Sequence, residues 1–545
     1  MNKRRCDVIS DIPKYFQTLD DDEKLDALKR KVKNGETVFD NVDPSVWFRN
    51  CERELVDPLQ AGDIQGTVPG WLDGVLVRNG PGTWNVGNDR FDHLFDCSAL
   101  LHKFSILNGV VTYQCRFIKT DSYVKNHAAR RIVVTGFGTA FVPDPCASIF
   151  QRIATLFKPG SDNTMVSVYP IQDQIYALGD SNYMQRIDLD TLDTVQKIDL
   201  ARDVTILHQT SHPITTSDGK IFNLGVHLTS TGPRYCILQL NEVADNAPKL
   251  VTSVPVRWRF HPGYMHTFAM TANYYIIVEQ PLSISVPRLV RNSFTNQPLA
   301  TCLKFFDNQS TTFHVLDRTS GAEVHRFRSD PFFYLHIINA YEDTNNSIVV
   351  DICCYRNPAM LDCMYRDALE NIHSNPAYAQ MFRARPLRFR LDLNSNQARS
   401  SLSRRFSWNA NQMKKNAGKF SAHSETNADK LSKDKEKRFA TTISTAGKIS
   451  KHKTPPKVEP SLICEVGCET PRLNEKYQGR KYKYFYAISS DIDRDNPGTL
   501  IKVNVENNTC KSWSQRGVYP SEPVFVSSSN TRVSHGVREV STPVN

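Results

Sequence analysis

No apolar run in the chain approaches the roughly 18 residues that a helix needs to cross a bilayer, so a helical membrane anchor is not expected. The basic start MNKRRCDVISDIPKYF also lacks the apolar segment that follows the charged residues of a secretory leader, which points to the cytosol. There is no recurring dipeptide of the WD type and no closely spaced Cys/His set of the zinc type. Neither a strict repeat nor a compact zinc module therefore organises the chain. The 13 cysteines are an odd number, and in a cytosolic protein they read as free thiols.

A basic surface is lacking as well, although the net charge of +10 over 545 residues suggests one. Between Asn396 and Lys457 there are 15 Lys and Arg against 4 Asp and Glu. That local excess of +11 leaves −1 for everything else, and no nucleic-acid partner is expected. The segment is rich in Ser, Asn and Lys and poor in apolar periodicity, the composition of a solvated insertion.

What the chain does have is short strand patterns punctuated by turns. Met1 to about residue 45 is charged and helix-permissive, an N-terminal extension. From Val68 onward apolar residues alternate over short runs, and in SILNGVVTYQC the pair Asn108-Gly109 between two such runs is a strong hairpin signal. MVSVYPIQDQIYALGDSNYMQRIDLDTLDTVQKIDL, KIFNLGVHL with RYCILQL, and SIVVDICCY with LRFRLDLN repeat the pattern. Units of about 45 to 60 residues, each a small meander, indicate the blades of a β-propeller. In that fold the innermost strands line a central axis, so side chains from distant parts of the chain meet there.

One segment departs from the β pattern. Pro143 to Gly160, PDPCASIFQRIATLFKPG, sets Ile149, Phe150, Ile153, Leu156 and Phe157 along one side of a short helix. Packing on the propeller and contact with a membrane surface are both open on this pattern.

Most of the 15 histidines fit ordinary surface or core roles. His212, His266 and His336 differ, because each lies beside a turn at the edge of an apolar run and each belongs to a different unit. Neutral imidazole is a common ligand of transition metals, so three of them at equivalent points of successive blades could form an axial metal site. A ligand imidazole usually gives its second N–H to a carboxylate. Glu469 in CETPRLNEKY and Glu522 in YPSEPVFV sit in apolar or Pro-rich surroundings, where an unpaired charge is costly.

At these residues the chain resembles the animal branch of the carotenoid cleavage oxygenases, a group that includes carotene oxygenases and the isomerohydrolase of the retinal pigment epithelium. The resemblance runs from Trp47 to Val526 and rests on GWLDGVLVRNGPG, HLFDCSALLHKF, RFIKTDSY, PDPC, SHP, PGYMHTF, LHIINAYED and YPSEPVFV. It implies an all-β, seven-bladed propeller over 46–530 with short helices capping one face, interrupted by the 396–457 insertion. It also implies ferrous iron on four histidines, three of them oriented by carboxylates, and O2 as co-substrate. Matched motif by motif, the iron ligands are His212, His266 and His336, and the orienting carboxylates are Asp180, Glu469 and Glu522. Phe137 and Gly179 lie close to matched motifs, where they would line the substrate tunnel. Cys146 matches a cysteine that is lipidated in some relatives, which turns Cys146, Ile149, Phe150, Ile153 and Phe157 into an expected membrane contact.

Two departures from the family pattern matter. Asp180 stands where a glutamate is usual, and its reach is shorter by one methylene. The fourth ligand is a histidine before glycine that follows further strands; His535-Gly536 reproduces the dipeptide without those strands, so 531–545 reads as an atypical tail and the last blade as incomplete. The resemblance implies cleavage of a carotenoid or apocarotenoid double bond to two carbonyl products. Isomerisation with hydrolysis of a retinyl ester, and carotenoid binding without catalysis, are the alternatives.

Overall fold

The computed structural model describes residues 16, 19–62, 64–141, 161–201, 205–240, 248–395, 454–494 and 498–528. Strands dominate, and they fold as local antiparallel meanders because each turn brings one alternating run back onto the last. At Asn108 and Gly109 the backbone is left-handed, with φ of 53° and 78°, and the flanking Leu107 and Val110 pair directly.

Six sheets of four or five strands are stacked as blades. Blade 1 is built from Leu55–Gln60, Gly74–Thr83, Ser98–Leu107 and Val110–Phe117, and blade 2 from the four strands between Ser167 and Asp199. Blade 3 runs from Ile206 to Pro255, and blade 4 joins Ala269–Met270, Tyr274–Glu279, Thr311–Asp317 and Glu323–Ser329. Blade 5 contains Phe333–Asp343, Ser347–Tyr355, Arg385–Asp392 and Ser461–Leu462, and blade 6 spans Cys468 to Trp513. Innermost strands of neighbouring blades touch: Gly74–Thr83 meets Ser167–Ile171, Ala269–Met270 meets Phe333–Asp343, and the latter meets Cys468–Arg472.

The architecture is an all-β propeller with six blades among the described residues, one fewer than the seven that the resemblance implies. After Thr509–Trp513 the described chain continues to residue 528 without another strand, which is why no further sheet forms there. Two two-stranded ribbons and a few helices complete the structure. Among the helices, Ala359–Cys363, Arg366–Glu370 and Tyr378–Phe382 connect two strands of blade 5 and pack with Trp84 and Phe91.

The core lies between blades. Ile276, Val278 and Phe313 of blade 4 pack against Tyr334, Val350 and Phe389 of blade 5, and Leu224 and Ile237 of blade 3 against Tyr275 and Ile277 of blade 4. Each such side chain contributes about 2 kcal/mol by leaving water. The central strand Ser347–Tyr355 is buried along its whole length. Its Asp351 is ionically paired with Arg388 at 2.8 Å and accepts from the Tyr482 hydroxyl of blade 6 at 2.6 Å, so the buried charge also joins two blades.

Two segments are better integrated than their composition indicates. In the N-terminal extension, Val38, Phe39 and Val42 are buried with Trp84 and Phe91. Of the 396–457 insertion, residues 396–453 lie outside the described residues, but 454–457 are tied down: Arg328 donates to the carbonyls of Pro455 and Pro456, and Lys457 pairs with Asp330 at 3.0 Å. Prolines contribute no N–H there, so their carbonyls alone serve as acceptors for the blade edge. Every cysteine among the described residues is a free thiol.

Candidate metal centre

Three blades each deliver one imidazole to the axis. His212 sits between the short strands Ile206–Gln209 and Ile214–Thr215 of blade 3, His266 just before Ala269–Met270 of blade 4, and His336 within Phe333–Asp343 of blade 5. Their ligand nitrogens all lie within 4.8 Å of one another. The ring centroids are 4.6 Å apart for His212 and His266, and 5.0 Å from each of these to His336.

Two of the rings are held from behind by carboxylates. His266 Nδ1 donates to Asp180 Oδ2 at 2.6 Å, and His336 Nδ1 donates to Glu469 Oε2 at 2.5 Å. With the proton on Nδ1, the Nε2 lone pair of each ring is free to face the axis. Asp180 lies in the turn between two strands of blade 2 and Glu469 on the innermost strand of blade 6, so the supports come from the blades on either side of the ligands.

The shorter Asp180 reaches its imidazole directly, without the lengthening that a lost methylene suggests. Its carboxylate also accepts from the Tyr264 hydroxyl at 2.8 Å, the Ser211 N–H at 3.1 Å and the Ser211 hydroxyl. Burial works against its charge, but His266, His208 and Ser211 hold the carboxyl well below the usual range. Glu469 follows the same logic: burial raises its pKa, and His336, the Thr470 N–H and Tyr355 more than offset that. Glu469 Oε1 and the Tyr355 hydroxyl are both buried and face each other without a well-aligned bond. Among the described residues no carboxylate accepts from His212, and burial followed by repulsion from His266 and His336 keeps it well below its usual value.

These residues fit a divalent transition metal. His212 Nε2 and His266 Nε2 are 3.0 Å apart, the separation of two adjacent ligands on a metal with bonds of about 2.1 Å. Three imidazoles, two largely covered carboxylates behind them and, among the described residues, no thiolate beside them suit iron, zinc or copper better than calcium or magnesium.

A cavity of about 450 Å³ is lined by Phe137, Leu282, Leu303, Phe305, Leu361 and Tyr365, with Thr301 and Asp362 as polar members. Its walls share one apolar cluster with Tyr264, two residues before His266, and with Leu335, next to His336. Gly179 is not in the wall; a Cβ there would stand 2.9 Å from the Asn163 carbonyl oxygen.

Of the expected site residues, the structure brings together His212, His266, His336, Asp180 and Glu469. Glu522 carries no described imidazole: its carboxylate pairs with Arg472 at 3.2 Å, its carbonyl accepts from Arg78 at 2.9 Å, and its charge reaches His336. His535 lies outside the described residues, as do Cys146, Ile149, Phe150, Ile153 and Phe157. Sequence reasoning missed Tyr264 and Ser211. Both lie inside quoted motifs, PGYMHTF and SHP, and a hydroxyl two residues or one residue from a ligand was the available signal.

Fold and site together define a propeller with an axial histidine cluster. A family profile described as retinal pigment epithelial membrane protein matches residues 48–537. The chain is 42% identical to the carotenoid isomerooxygenase of Drosophila melanogaster, over 94% of this chain and 88% of that one. It is 31% identical to the beta,beta-carotene 15,15'-dioxygenase of Gallus gallus, over 90% and 88%. Among solved structures, a mutant of the Synechocystis apocarotenoid oxygenase superimposes with a TM-score of 0.63 at 19% identity, over 92% and 89% of the two chains. The chain belongs to the retinal pigment epithelial membrane protein family, the carotenoid oxygenases, and is an enzyme of the oxygenase class.

Proposed function

We propose that the protein is an iron(II)-dependent oxygenase that cleaves a double bond of a carotenoid or apocarotenoid. The carrying observation is the convergence of His212, His266 and His336, two of them braced by Asp180 and Glu469. Three protein ligands leave positions open, and ferrous iron held there would supply the activation of O2 that oxidative cleavage needs. Asp180 and Glu469 keep the protons of His266 and His336 on Nδ1, and Tyr264 and Ser211 keep Asp180 in place. Phe137, Leu282, Leu303, Phe305 and Leu361 of the cavity wall offer a polyene apolar contacts. The reaction converts one C=C bond and one O2 into two carbonyl groups. His535 as fourth ligand, with Glu522 behind it, belongs to this reading.

Coupled isomerisation is part of the proposal, because the relatives above 40% identity in Drosophila melanogaster and Galleria mellonella are both named carotenoid isomerooxygenase. Loaded with Fe(II) and given all-trans β-carotene in detergent, the purified protein should consume O2 and release retinal or an apocarotenal, with a cis product in the mixture. Folded, iron-bound protein that forms no carbonyl product sinks the reading. Release of a cis alcohol from all-trans retinyl ester without O2 uptake would replace it with ester isomerohydrolysis.

A peripheral membrane contact is proposed on a surface other than 143–160. No helix among the described residues is long and apolar enough to cross a membrane. Helix Val286–Thr295 presents Val290 at 56% and Phe294 at 68% exposure, with Phe260 at 62% beside it and Arg288 and Arg291 on the same turns. Its Asn292 donates to Thr301 of the cavity wall at 2.5 Å, which supports reading this surface as the side from which a membrane-borne substrate enters. A seventh blade also remains part of this reading; Leu59 at 59% and Trp513 at 39% exposure leave apolar surface open on the first and last described blades.

A further inference from the structure

Two buried polar side chains stand one layer behind the cavity, at either end of the turn His93–Asp96. His93 is fully buried. Its Nε2 lies 3.0 Å from the Leu361 carbonyl oxygen, and its Nδ1 3.1 Å from the Phe95 N–H. A carbonyl can only accept and an N–H only donate, so the proton is on Nε2 and the ring is neutral. Burial pushes its pKa down to about 4, which keeps that form at any ordinary working pH. The ring meets Phe95, Phe137 and Tyr365 at centroid distances of 4.9, 4.9 and 4.6 Å, each edge-on. Leu361, Phe137 and Tyr365 all line the cavity.

Asp96 grips the other side of the same wall. Its carboxylate accepts from the N–H of Phe137 at 2.5 Å, of Gly138 at 2.9 Å and of Thr139 at 2.7 Å, and from the Thr139 hydroxyl at 2.7 Å. The loop is moulded closely onto both residues. A Cβ at Gly136 would stand 2.2 Å from Asp96 Oδ1, and one at Gly138 would stand 2.5 Å from His93 Cβ. The Phe137 carbonyl in turn accepts from Ala300, another lining residue, at 2.7 Å. Neither His93 nor Asp96 touches the histidine triad or lines the cavity.

We propose that His93 and Asp96 are positioning residues of the substrate cavity: they lock Phe137, Leu361 and Tyr365 into one wall and so select which part of an elongated apolar substrate reaches the histidine triad. The inference rests on the oxygenase reading for its catalytic consequence, while the cavity geometry is independent of it. A side chain that merely stabilised the fold would change melting temperature without changing what the cavity holds. A wall-setting pair must also alter ligand binding and the choice of bond.

The test uses His93→Gln, Asp96→Asn and the gentler pair Thr139→Val and Thr139→Ser, in the full chain. Metal-free protein is titrated with retinol, followed by the probe's fluorescence; iron-loaded protein is given β-carotene and the aldehydes of different chain lengths are quantified. Losing one buried hydrogen bond to the wall should weaken retinol binding about fivefold and shift the ratio of cleavage products, with Thr139→Ser restoring both. Metal uptake should be unchanged. If the unaltered protein binds retinol but cleaves nothing, the oxygenase reading fails and the binding arm still decides the wall. Folded Thr139→Val or His93→Gln with unaltered affinity and product ratio overturns the proposal; should His93→Gln and Asp96→Asn not fold, the Thr139 pair alone decides it.

Discussion

Asp180→Asn probes the centre most directly. The native carboxylate accepts from His266, Tyr264, Ser211 N–H and the Ser211 hydroxyl, and the amide that replaces it has one acceptor oxygen and one donor group. At least one of the four donors then faces an N–H2, and the charge that keeps the His266 proton on Nδ1 is gone. A hydrogen bond to a charged group is worth about 1.5–3 kcal/mol, and loss of such a partner typically lowers metal affinity about 10–100-fold. Anaerobic titration with Fe(II) against a competing chelator should show a loss in that range, alongside a fall in melting temperature of the metal-free protein. Asp180→Glu should not improve on the native residue despite being the family's usual choice: the side chain already bonds at 2.6 Å and is only 16% exposed, so an extra methylene costs about 1–3 kcal/mol through overpacking. Native-like iron affinity in folded Asp180→Asn would refute the bracing role.

Three further outcomes are expected. In blade 4, His314 lies between Glu323 at 2.8 Å and Glu279 at 3.3 Å, with Arg257 also on Glu279 and Arg326 on Glu323. Burial lowers the His314 pKa, but the two glutamates prevail and raise it; burial raises both glutamates, yet His314 and the arginines bring each down to about 2. The glutamate contribution is therefore complete above about 4.5 and is lost as pH falls toward 2, whereas the histidine contribution is complete below about 6.5 and is lost as pH rises through the raised value. Melting temperature should peak within that window and lose part of its pH dependence in His314→Gln; parallel profiles for the two proteins would count against the network. Phe294→Glu should reduce co-sedimentation with phosphatidylcholine vesicles and leave metal binding intact, and equal sedimentation would remove the helix from the membrane reading. Gly138→Ala should destabilise by about 1–3 kcal/mol through collision with His93, and an unchanged melting temperature would show that the loop is not held as described.

The blades were legible because each hairpin carries its own local signal, as at Asn108-Gly109. The histidine cluster was legible because a histidine at the edge of an apolar run is conspicuous, and family motifs then selected His212, His266 and His336. Apart from Asp180 and Glu469, which the family motifs supplied, long-range polar partners were not. Nothing in HLFDCSALL shows that Asp96 will grip residues 137–139, or in YPSEPVFV that Glu522 will meet Arg472. Such pairings depend on how one blade seats on another, and local periodicity contains no term for that. Composition also misplaced an edge: KTPPK looks like the end of a soluble loop, yet its carbonyls complete the hydrogen bonding of Arg328.

The ligands belong to blades 3, 4 and 5, and their two braces to blades 2 and 6. A cluster distributed in this way needs the whole span from residue 180 to residue 469, because each carboxylate orients one of the imidazoles. A metal held there would therefore bind only once these blades have docked, and a substitution far out on any of them would surface as a loss of metal affinity.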